Sequence, residues 1–182
     1  IISAPSGAGK TTLCKALQSE FSDIKWSVSH TTRKRRKTEK NGIDYNFISN
    51  LEFKKLINIS FFAEWEEVHG FYYGTSKLNL EQAIKKNEML LIEMDVKGAL
   101  SIKKLYPNKT FSIFITPPSI DHLRNRLQKR GTDSKDRINI RLRRFKEEMK
   151  YVSRFDFNLL NDEYQLAKNQ LMSIILEMKK GE

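Results

Sequence analysis

The residues best suited to chemistry lie in one short loop near the start of the chain, Gly7-Ala8-Gly9-Lys10-Thr11. Small residues let backbone N–H groups turn towards a bound anion, and a helix that follows adds the positive end of its dipole. Lys10 contributes a full positive charge, and the hydroxyl of Thr11 can ligate Mg²⁺. The loop therefore predicts a binding site for a nucleoside triphosphate.

The loop matches the pattern G-x-x-x-x-G-K-[ST] at every fixed position except the first, which is Ala4. Because alanine tolerates less φ space than glycine, the loop must begin there with an ordinary backbone or a strained one. The alternative is a chance glycine-rich turn before a helix, and the register of the later positions argues against it. The predicted loop residues are Ala4, Pro5, Ser6, Gly7, Ala8, Gly9, Lys10, Thr11 and Thr12.

A carboxylate is the second group that can take part in chemistry. The run from Met89 to Asp95 is apolar and ends in acid, which is typical of a buried parallel strand. Because ligands bind at the carboxyl ends of such strands, Asp95 can hold Mg²⁺ opposite Thr11, directly or through water. Asp95 can also cap a helix that begins near Val96, and the two roles are compatible. Glu93 shares the strand face of Asp95.

The elements that must position these groups alternate between strand and helix. Apolar or alternating runs predict strands at 25–29, 45–48, 61–68, 71–73, 89–95, 111–116 and 157–160, with a hairpin turn at His69-Gly70. Helical periodicity is found at 10–21, 77–86, 96–105, 119–130, 135–151 and 163–179, and in a short helix from Ser49 or Asn50 to Ile57. The predicted fold is α/β, with a parallel sheet flanked by helices and an inserted, aromatic-rich mixed β lobe.

Composition limits the classes of protein that remain possible. The 182 residues suffice for one core domain with insertions, and 33 basic against 22 acidic residues give a formal charge of +11. That charge predicts anionic partners, which include nucleotides as well as nucleic acids. The single cysteine, Cys14, excludes an internal disulfide and a cysteine-rich zinc site, and we expect it to be a buried core thiol. No apolar run approaches the ~20 residues of a membrane span and no signal peptide is visible, so we expect a cytoplasmic protein.

Further motifs follow in a fixed order along the chain. They are S-x-T-T-R-x-x-R from Ser29, G-x-D-Y from Gly42, E-W at Glu64, Y-Y-G-T from Tyr72, E-M-D-V-K-G from Glu93, P-P-S from Pro117, R-G-T from Arg130 and N-D at Asn161. Together with the phosphate loop, they make the chain resemble guanylate kinases, the P-loop nucleoside monophosphate kinases that transfer phosphate from ATP to GMP. The resemblance spans residues 1 to about 180. It implies a core (1–28, 76–118 and 148–182), a GMP-binding insert (29–75) and a helical lid (119–147) that close around the substrates.

For GMP, the resemblance implies a guanine pocket and a phosphate site. A carboxylate suits the two N–H donors of guanine and a hydroxyl suits its oxygen, roles that fall on Glu64 for the donors and on Ser29 and Thr75 as hydroxyl partners. Adenine would leave the carboxylate unpaired, and sites built on such hydrogen bonds discriminate by roughly 10⁴–10⁵. Arginine forks match phosphate oxygens, and tyrosine hydroxyls add donors. The implied GMP-binding residues are Ser29, Arg33, Arg36, Tyr45, Glu64, Tyr73, Thr75 and Glu93.

For ATP, the resemblance adds two arginines of the lid to the phosphate loop. Arg130 is expected to contact ATP and Arg141 to reach the phosphoryl group in transfer. Asn161 is expected to border the adenine site, and a helix cap is an equal alternative. Because the acceptor is already an anionic oxygen, no general base is needed. The implied catalytic residues are Lys10, Arg33, Arg130 and Arg141, with Mg²⁺ as cofactor at Thr11 and Asp95.

The leading interpretation is an ATP:GMP phosphotransferase of purine nucleotide metabolism, with neither nucleic acid nor a membrane as partner. A non-catalytic guanylate-kinase-like interaction domain is one alternative, although such domains have typically lost the loop lysine or the metal-site residues that are present here. A P-loop kinase with another acceptor is a second alternative, and a screen of phosphate acceptors distinguishes it from a GMP kinase. A nucleic-acid binder would leave the residues for the guanine edge unexplained. The oligomeric state stays open between monomer and homodimer.

Overall fold

The computed structural model describes residues 1–68, 70–129, 131 and 134–180. The predicted hairpin residue His69 and the predicted catalytic residue Arg130 lie outside the described residues. Two compact units make up the chain, one from Ile1–Ser22, Glu93–Ala99 and Phe111–Glu182, the other from Asp23–Ile92 and Leu100–Thr110.

The described strands and helices alternate along the chain as follows: β1 (Ile2–Ser3), α1 (Lys10–Glu20), β2 (Lys25–Trp26), β3 (His30–Thr31), β4 (Asn46–Phe47), α2 (Asn50–Asn58), β5 (Phe62–Val68), β6 (Phe71–Ser76), α3 (Lys77–Lys85), β7 (Leu90–Leu91), β8 (Glu93–Met94), α4 (Val96–Leu105), β9 (Ile113–Thr116), α5 (Ile120–Lys129), α6 (Lys135–Met149), β10 (Phe157–Leu160) and α7 (Tyr164–Lys180).

The first unit is built on a four-stranded parallel sheet in the order β10-β9-β1-β8. All four residues of β9 are buried, as expected for a central parallel strand with both faces covered. Leu13 and Leu17 of α1 and Leu171 of α7 are fully buried, and these two helices contact each other. This packing fixes the end of β1, from which the phosphate loop leaves the sheet.

Helices α5 and α6 of the first unit are held together by one apolar cluster. Leu123 and Leu127 of α5 pack with Ile138, Leu142 and Phe145 of α6. The spacing of three or four residues within each helix places these side chains on one face. Several basic residues of the two helices, among them Arg124, Arg137 and Arg143, are exposed.

The second unit contains a mixed sheet in the order β4-β3-β6-β5, in which β5 and β6 form an antiparallel hairpin. Helix α2 begins with Ser49 in a capping box, since its side chain accepts the N–H of Glu52 while Glu52 accepts the N–H of Ser49. Phe53 of α2 is fully buried and stacks on Phe62 and Tyr72 of the hairpin, with ring centroids 4.5 and 5.4 Å apart. The predicted short helix is confirmed, and of the two residues that the sequence left open for its start, Ser49 and Asn50, Ser49 is the cap.

One predicted strand is wrong in its continuity. The apolar run 89–95 forms two short strands, β7 paired with β2 and β8 paired with β1, with Ile92 between them. Apolarity predicted burial of the run correctly, because Leu91, Ile92 and Met94 are buried. It could not predict that the ladder partner changes in the middle of the run, because the partner strands are distant in sequence.

The predicted fold class is confirmed: an α/β chain with a parallel sheet flanked by helices and a mixed β insert. None of the helices within the described ranges combines the length and the apolarity that crossing a bilayer requires.

Candidate active site

The phosphate loop connects β1 to α1 and depends on two glycines. Gly7 and Gly9 have φ angles of 97 and 96°, in the left-handed region that favours glycine. A Cβ at Gly9 would also overlap the side-chain nitrogen of Asn161. Among the residues that the structure describes, the non-glycine residues with positive φ are Ser60 and Asn87. Ala4 therefore enters the loop with an ordinary backbone, the first of the two predicted possibilities.

Lys10 and Thr11 both contact β8. The Nζ of Lys10 donates to the carbonyl of Met94 at 2.7 Å, and the hydroxyl of Thr11 donates to Oε1 of Glu93 at 2.7 Å. These bonds orient the loop lysine and threonine before any phosphate arrives. They also place Glu93, which was predicted to bind GMP, beside the threonine of the phosphate loop.

Asp95 uses both carboxylate oxygens. Oδ1 accepts the N–H of Gly98 at 2.9 Å and so caps the start of α4, and Oδ2 accepts Nη2 of Arg144 at 3.0 Å. The capping role expected of Asp95 is confirmed. Each oxygen keeps a second lone pair, so the predicted metal contact, direct or through water, stays a prediction.

Arg144 lies between two carboxylates. Its Nε donates to Oε1 of Glu148 at 2.6 Å while Nη2 reaches Asp95. Burial raises the pKa of Glu148, and the guanidinium of Arg144 opposes that shift only in part. Oε2 of Glu148 is buried and has no partner among the described residues. Arg144 therefore compensates a buried charge at the same time as it holds Asp95.

Two more side chains brace the phosphate loop from other elements of the first unit. Nη1 of Arg141 on α6 donates to the hydroxyl of Ser6 at 2.7 Å. Asn161, which is buried after β10, donates from Nδ2 to the carbonyl of Ala8 at 2.7 Å. The carbonyl of Asn161 accepts in turn from Nη2 of Arg126 at 3.0 Å. Asn161 thus shapes the loop from behind, a role that neither predicted alternative described.

In the second unit, Glu64 and Thr75 lie opposite each other on β5 and β6. The buried hydroxyl of Thr75 donates to Oε1 of Glu64 at 2.7 Å. A β-bulge between Phe62 and Glu64 shifts the register just before this pair. A carboxylate beside a hydroxyl is the combination that the guanine edge requires. Ser29, the other predicted hydroxyl, is also buried.

The predicted phosphate ligands of GMP gather around Arg33. Its guanidinium lies 5.4 Å from the ring centre of Tyr45, and the rings of Tyr45 and Tyr73 are 6.0 Å apart. Nη1 and Nη2 of Arg33 donate to Oε2 and Oε1 of Glu39 at 3.0 and 2.7 Å. The backbone N–H of Arg36 donates to the same carboxylate at 2.8 Å. All four predicted residues therefore belong to one cluster with Glu39.

The ionisation of this cluster follows from its contacts. Burial alone would lower the pKa of Arg33, but hydrogen bonds with Glu39 and Tyr73 raise it. Burial alone would raise the pKa of Glu39, yet the hydrogen bonds from Arg33 and the Arg36 backbone lower it. Both groups are therefore charged at neutral pH.

Comparison with known proteins gives an independent line of evidence. The family model described as guanylate kinase matches residues 1–178. The guanylate kinase of Desulfitobacterium hafniense is 43% identical over 179 residues, which cover 98% of this chain and 89% of that protein. The guanylate kinase of Wolinella succinogenes is 42% identical over 174 residues, which cover 96% of this chain and 81% of the relative. A crystal structure of guanylate kinase from Anaplasma phagocytophilum is similar with a TM-score of 0.79 at 30% identity, covering 97% of this chain and 83% of that one.

The chain belongs to the guanylate kinase family. The resemblance and the fold class expected from the motifs are thereby confirmed. Arg130, which the guanylate kinase motif singled out, lies outside the described residues.

Two contacts in this guanylate kinase family member were missed from the sequence. Glu39 had no assigned role, although it is the one acid among the six basic residues of the segment 33–40. A single acid within a basic segment is a sequence signal that could have indicated the ion pair of Glu39. Arg144 also had no assigned role, and its spacing of four residues from Glu148 was the available signal.

Cys14 takes no part in the chemistry of this guanylate kinase family member. It is buried on α1, and burial strongly raises the pKa of its thiol. The thiol is therefore not a nucleophile, because the reactive form is the thiolate. The expectation of a buried core thiol is confirmed.

Proposed function

We propose that the chain transfers the γ-phosphate of ATP to GMP and produces ADP and GDP. The observation that carries this proposal is that one chain combines a complete phosphate loop with a carboxylate–hydroxyl pair suited to guanine, and matches the guanylate kinase family over residues 1–178. ATP-dependent phosphoryl transfer is the activity of that family.

The donor nucleotide binds at the phosphate loop in this proposal. The backbone N–H groups of Gly7, Ala8 and Gly9 and the start of α1 face the β- and γ-phosphates, and Lys10 exchanges its contact with Met94 for phosphate oxygens. Arg141 already reaches Ser6 of the loop and can follow the transferred group. These residues stabilise the charge of the transferred phosphoryl group.

Mg²⁺ is the cofactor of this proposal. The oxygen groups of Thr11, Glu93 and Asp95 are of the kind that a hard cation prefers. In the described residues there is no cluster of three or more His, Cys, Asp or Glu side chains that could hold a metal alone. That agrees with Mg²⁺, which is usually held by one or two carboxylates together with substrate phosphates. The ion would neutralise charge that develops on the β- and γ-oxygens.

Charge repulsion, rather than proton transfer, is the barrier that the residues must lower. Two unit charges about 4 Å apart repel by around 4 kcal/mol at an effective dielectric constant near 20, and several such pairs arise between GMP and ATP. Arg33 and Arg36 are proposed to neutralise the acceptor phosphate, Lys10 and Arg141 the donor. The proposed catalytic set is completed by Arg130.

The chain is proposed to divide into a core (1–28, 76–118 and 148–182), a GMP-binding insert (29–75) and a lid (119–147). The guanine pocket would comprise Ser29, Glu64 and Thr75 in the insert, and the buried hydroxyls and the oriented carboxylate support that assignment. A location in the cytoplasm, the absence of nucleic-acid and membrane partners and the choice between monomer and homodimer stay predictions from the sequence.

The decisive experiment measures ADP production with ATP and Mg²⁺ while GMP, dGMP, AMP, CMP and UMP are offered separately as acceptors. We expect strong turnover with GMP and little with AMP, because adenine offers an acceptor where Glu64 needs a donor. Turnover with a different acceptor would instead favour another P-loop kinase.

Lys10→Ala is the matched negative control for this assay. It should abolish turnover and leave GMP binding largely intact, because Lys10 belongs to the donor site. Retained turnover in Lys10→Ala would remove the loop from the mechanism. Folded wild-type protein without turnover on any acceptor would favour the non-catalytic interaction domain.

A further inference from the structure

We propose that Glu39 is a positioning residue for the acceptor phosphate, because it holds Arg33 and the Arg36 backbone in the arrangement that the phosphate of GMP meets. The inference rests on the proposed function and deepens it. Glu39 itself does not touch the nucleotide in this proposal; it acts through Arg33.

The pairing of Glu39 with Arg33 is bidentate and largely buried. The two nitrogen–oxygen distances are 2.7 and 3.0 Å, and the side chains of Arg33 and Glu39 are only 14% and 11% exposed. The side chain of Arg36, by contrast, is 68% exposed. A fork-to-fork pair fixes the plane of the guanidinium as well as its position. Arg33 is therefore held in one orientation within a segment whose other basic side chains are largely exposed.

A tight turn holds Glu39 in place. The N–H of Glu39 donates to the carbonyl of Arg36 at 3.1 Å, and the N–H of Arg36 donates back to the Glu39 carboxylate at 2.8 Å. Nη1 of Arg35 donates to the Glu39 carbonyl at 3.3 Å. The bond from the Arg36 N–H would have to break if the carboxylate left when phosphate arrived, while the other two hold the backbone that carries it. A fixed support fits this arrangement better than a carboxylate that phosphate displaces.

The geometry leaves donor capacity on Arg33. A guanidinium has five N–H groups, of which Glu39 takes one from each Nη and the carbonyl of Lys34 takes another from Nη1. Nε and the second N–H of Nη2 form the other edge of the fork, the kind of edge that binds phosphate oxygens in pairs. Two other predicted phosphate ligands lie beside this guanidinium, since the ring of Tyr45 is 5.4 Å from it and the ring of Tyr73 is 6.0 Å from that of Tyr45. In this proposal, Glu39 binds one edge of the guanidinium and the phosphate binds the other edge.

The surrounding charge explains why such a support is needed. Residues 33–40 contain six basic side chains and one acid, Glu39. Without the carboxylate, Arg33 would be a poorly solvated cation among like charges, and the free protein would favour conformations in which it turns outward. Binding of GMP would then have to include the cost of reordering it.

The test compares the affinities of Glu39→Gln for GMP and for guanosine by isothermal titration calorimetry. Glutamine keeps the size of the side chain but cannot accept from both Nη groups. We expect the Kd of GMP to rise by about 10- to 100-fold, as for the loss of a charge-assisted bond, with the Kd of guanosine unchanged. In steady-state kinetics, the KM for GMP should rise by a larger factor than kcat falls, with the KM for ATP unaffected.

Glu88→Gln is the matched control, because the same change is made to an exposed ion pair of the same unit, Lys25–Glu88 at 2.7 Å. It should leave both affinities as in the wild type. Glu39→Asp keeps the charge but is one methylene shorter, so an intermediate Kd for GMP is expected. That variant also carries the test if Glu39→Gln fails to show a cooperative melting curve.

Three results with Glu39→Gln would overturn the inference alone. An unchanged Kd for GMP means that Arg33 needs no support, and a lower one means that the carboxylate competes with phosphate. Equal losses for GMP and guanosine mean that Glu39 only stabilises the fold. Wild-type protein that fails to bind GMP would overturn the proposed function and this inference with it, whereas tight GMP binding by both wild type and Glu39→Gln overturns the inference alone.

Discussion

At the scale of single residues, the proposed guanine pocket depends on a carboxylate that a neighbour has already oriented. Thr75 occupies one oxygen of Glu64 from the adjacent strand, at 2.7 Å. The cross-strand register, which pairs Glu64 directly with Thr75, makes that contact part of the sheet itself. Base selection can therefore be tested by changes to one side chain.

Glu64→Gln should lower kcat/KM for GMP by about 100-fold, because the amide presents an N–H group to the N–H donors of guanine. The KM for ATP should not change. Steady-state kinetics with GMP varied at saturating ATP measure the effect, and Glu67→Gln, an exposed acid on the same strand, is the control. Wild-type kinetics in Glu64→Gln would place the base pocket elsewhere.

The ion pair between Arg144 and Glu148 allows a second test at the scale of single residues. Arg144→Met should lower the free energy of unfolding by about 2–3 kcal/mol at pH 7, because the buried carboxyl group of Glu148 loses its cationic partner. The figure is below that of a fully buried pair because the Arg144 side chain is 28% exposed. Urea unfolding measures the loss, and the double variant Arg144→Met/Glu148→Gln should recover most of it.

The pH dependence of that loss has a definite sign. Burial raises the pKa of Glu148 in the folded state above its unfolded value, and removal of Arg144 raises it further. Such a group favours folding at low pH, and its contribution is lost as the pH rises through the folded pKa. The difference in the free energy of unfolding between Arg144→Met and wild type should therefore shrink as the pH is lowered towards the pKa of a carboxyl group. If the loss of stability in Arg144→Met does not depend on pH, its cause is lost packing rather than the ion pair.

At the scale of elements, α6, most of which lies in the predicted lid, contacts both the phosphate loop and the end of β8. Arg141 and Arg144 are three residues apart on one face of the helix, and they reach Ser6 and Asp95 respectively. The apolar seam with α5 holds the helix from its other side. A single helix thus presents cations to both the loop and the acid at the end of β8.

Arg141→Ala should reduce kcat by about 100-fold or more, as for the loss of one donor to a developing charge. The Kd of GMP should stay within experimental error of the wild type. Arg143→Ala is the control, because Arg143 is an exposed residue of the same helix. Equal losses in kcat and in GMP affinity would make Arg141 a ground-state binding residue.

At the scale of the whole molecule, the charge of +11 suits a protein that binds two polyanionic nucleotides. The KM values for GMP and ATP should both rise as NaCl is increased from about 0.1 M to about 1 M, over which the Debye length falls from about 10 to 3 Å. The effect should be much larger on KM than on kcat, because salt screens the attraction between exposed charges and an approaching nucleotide more than it screens contacts between buried groups. KM values independent of salt would show that the surplus charge serves something other than nucleotide capture.

The amino-acid sequence by itself determined the chemistry of this protein and most of its elements. The phosphate loop and the acid Asp95 at the end of a buried run could be predicted because short motifs and hydrophobic periodicity depend on neighbours in the chain. Glu64 and the GMP arginines were singled out by the family resemblance, and their roles stay predictions. Only the tertiary structure decided which partner each group has, since Arg141 meets a residue 135 positions away and Asn161 one 153 positions away. The sequence did not show that β7 and β8 pair with different strands, because those strands are also distant in the chain. Many arginines in the sequence could pair with any one acid. The packing of α6, β8 and the loops decides which of them do so, because only side chains brought within hydrogen-bond distance can pair.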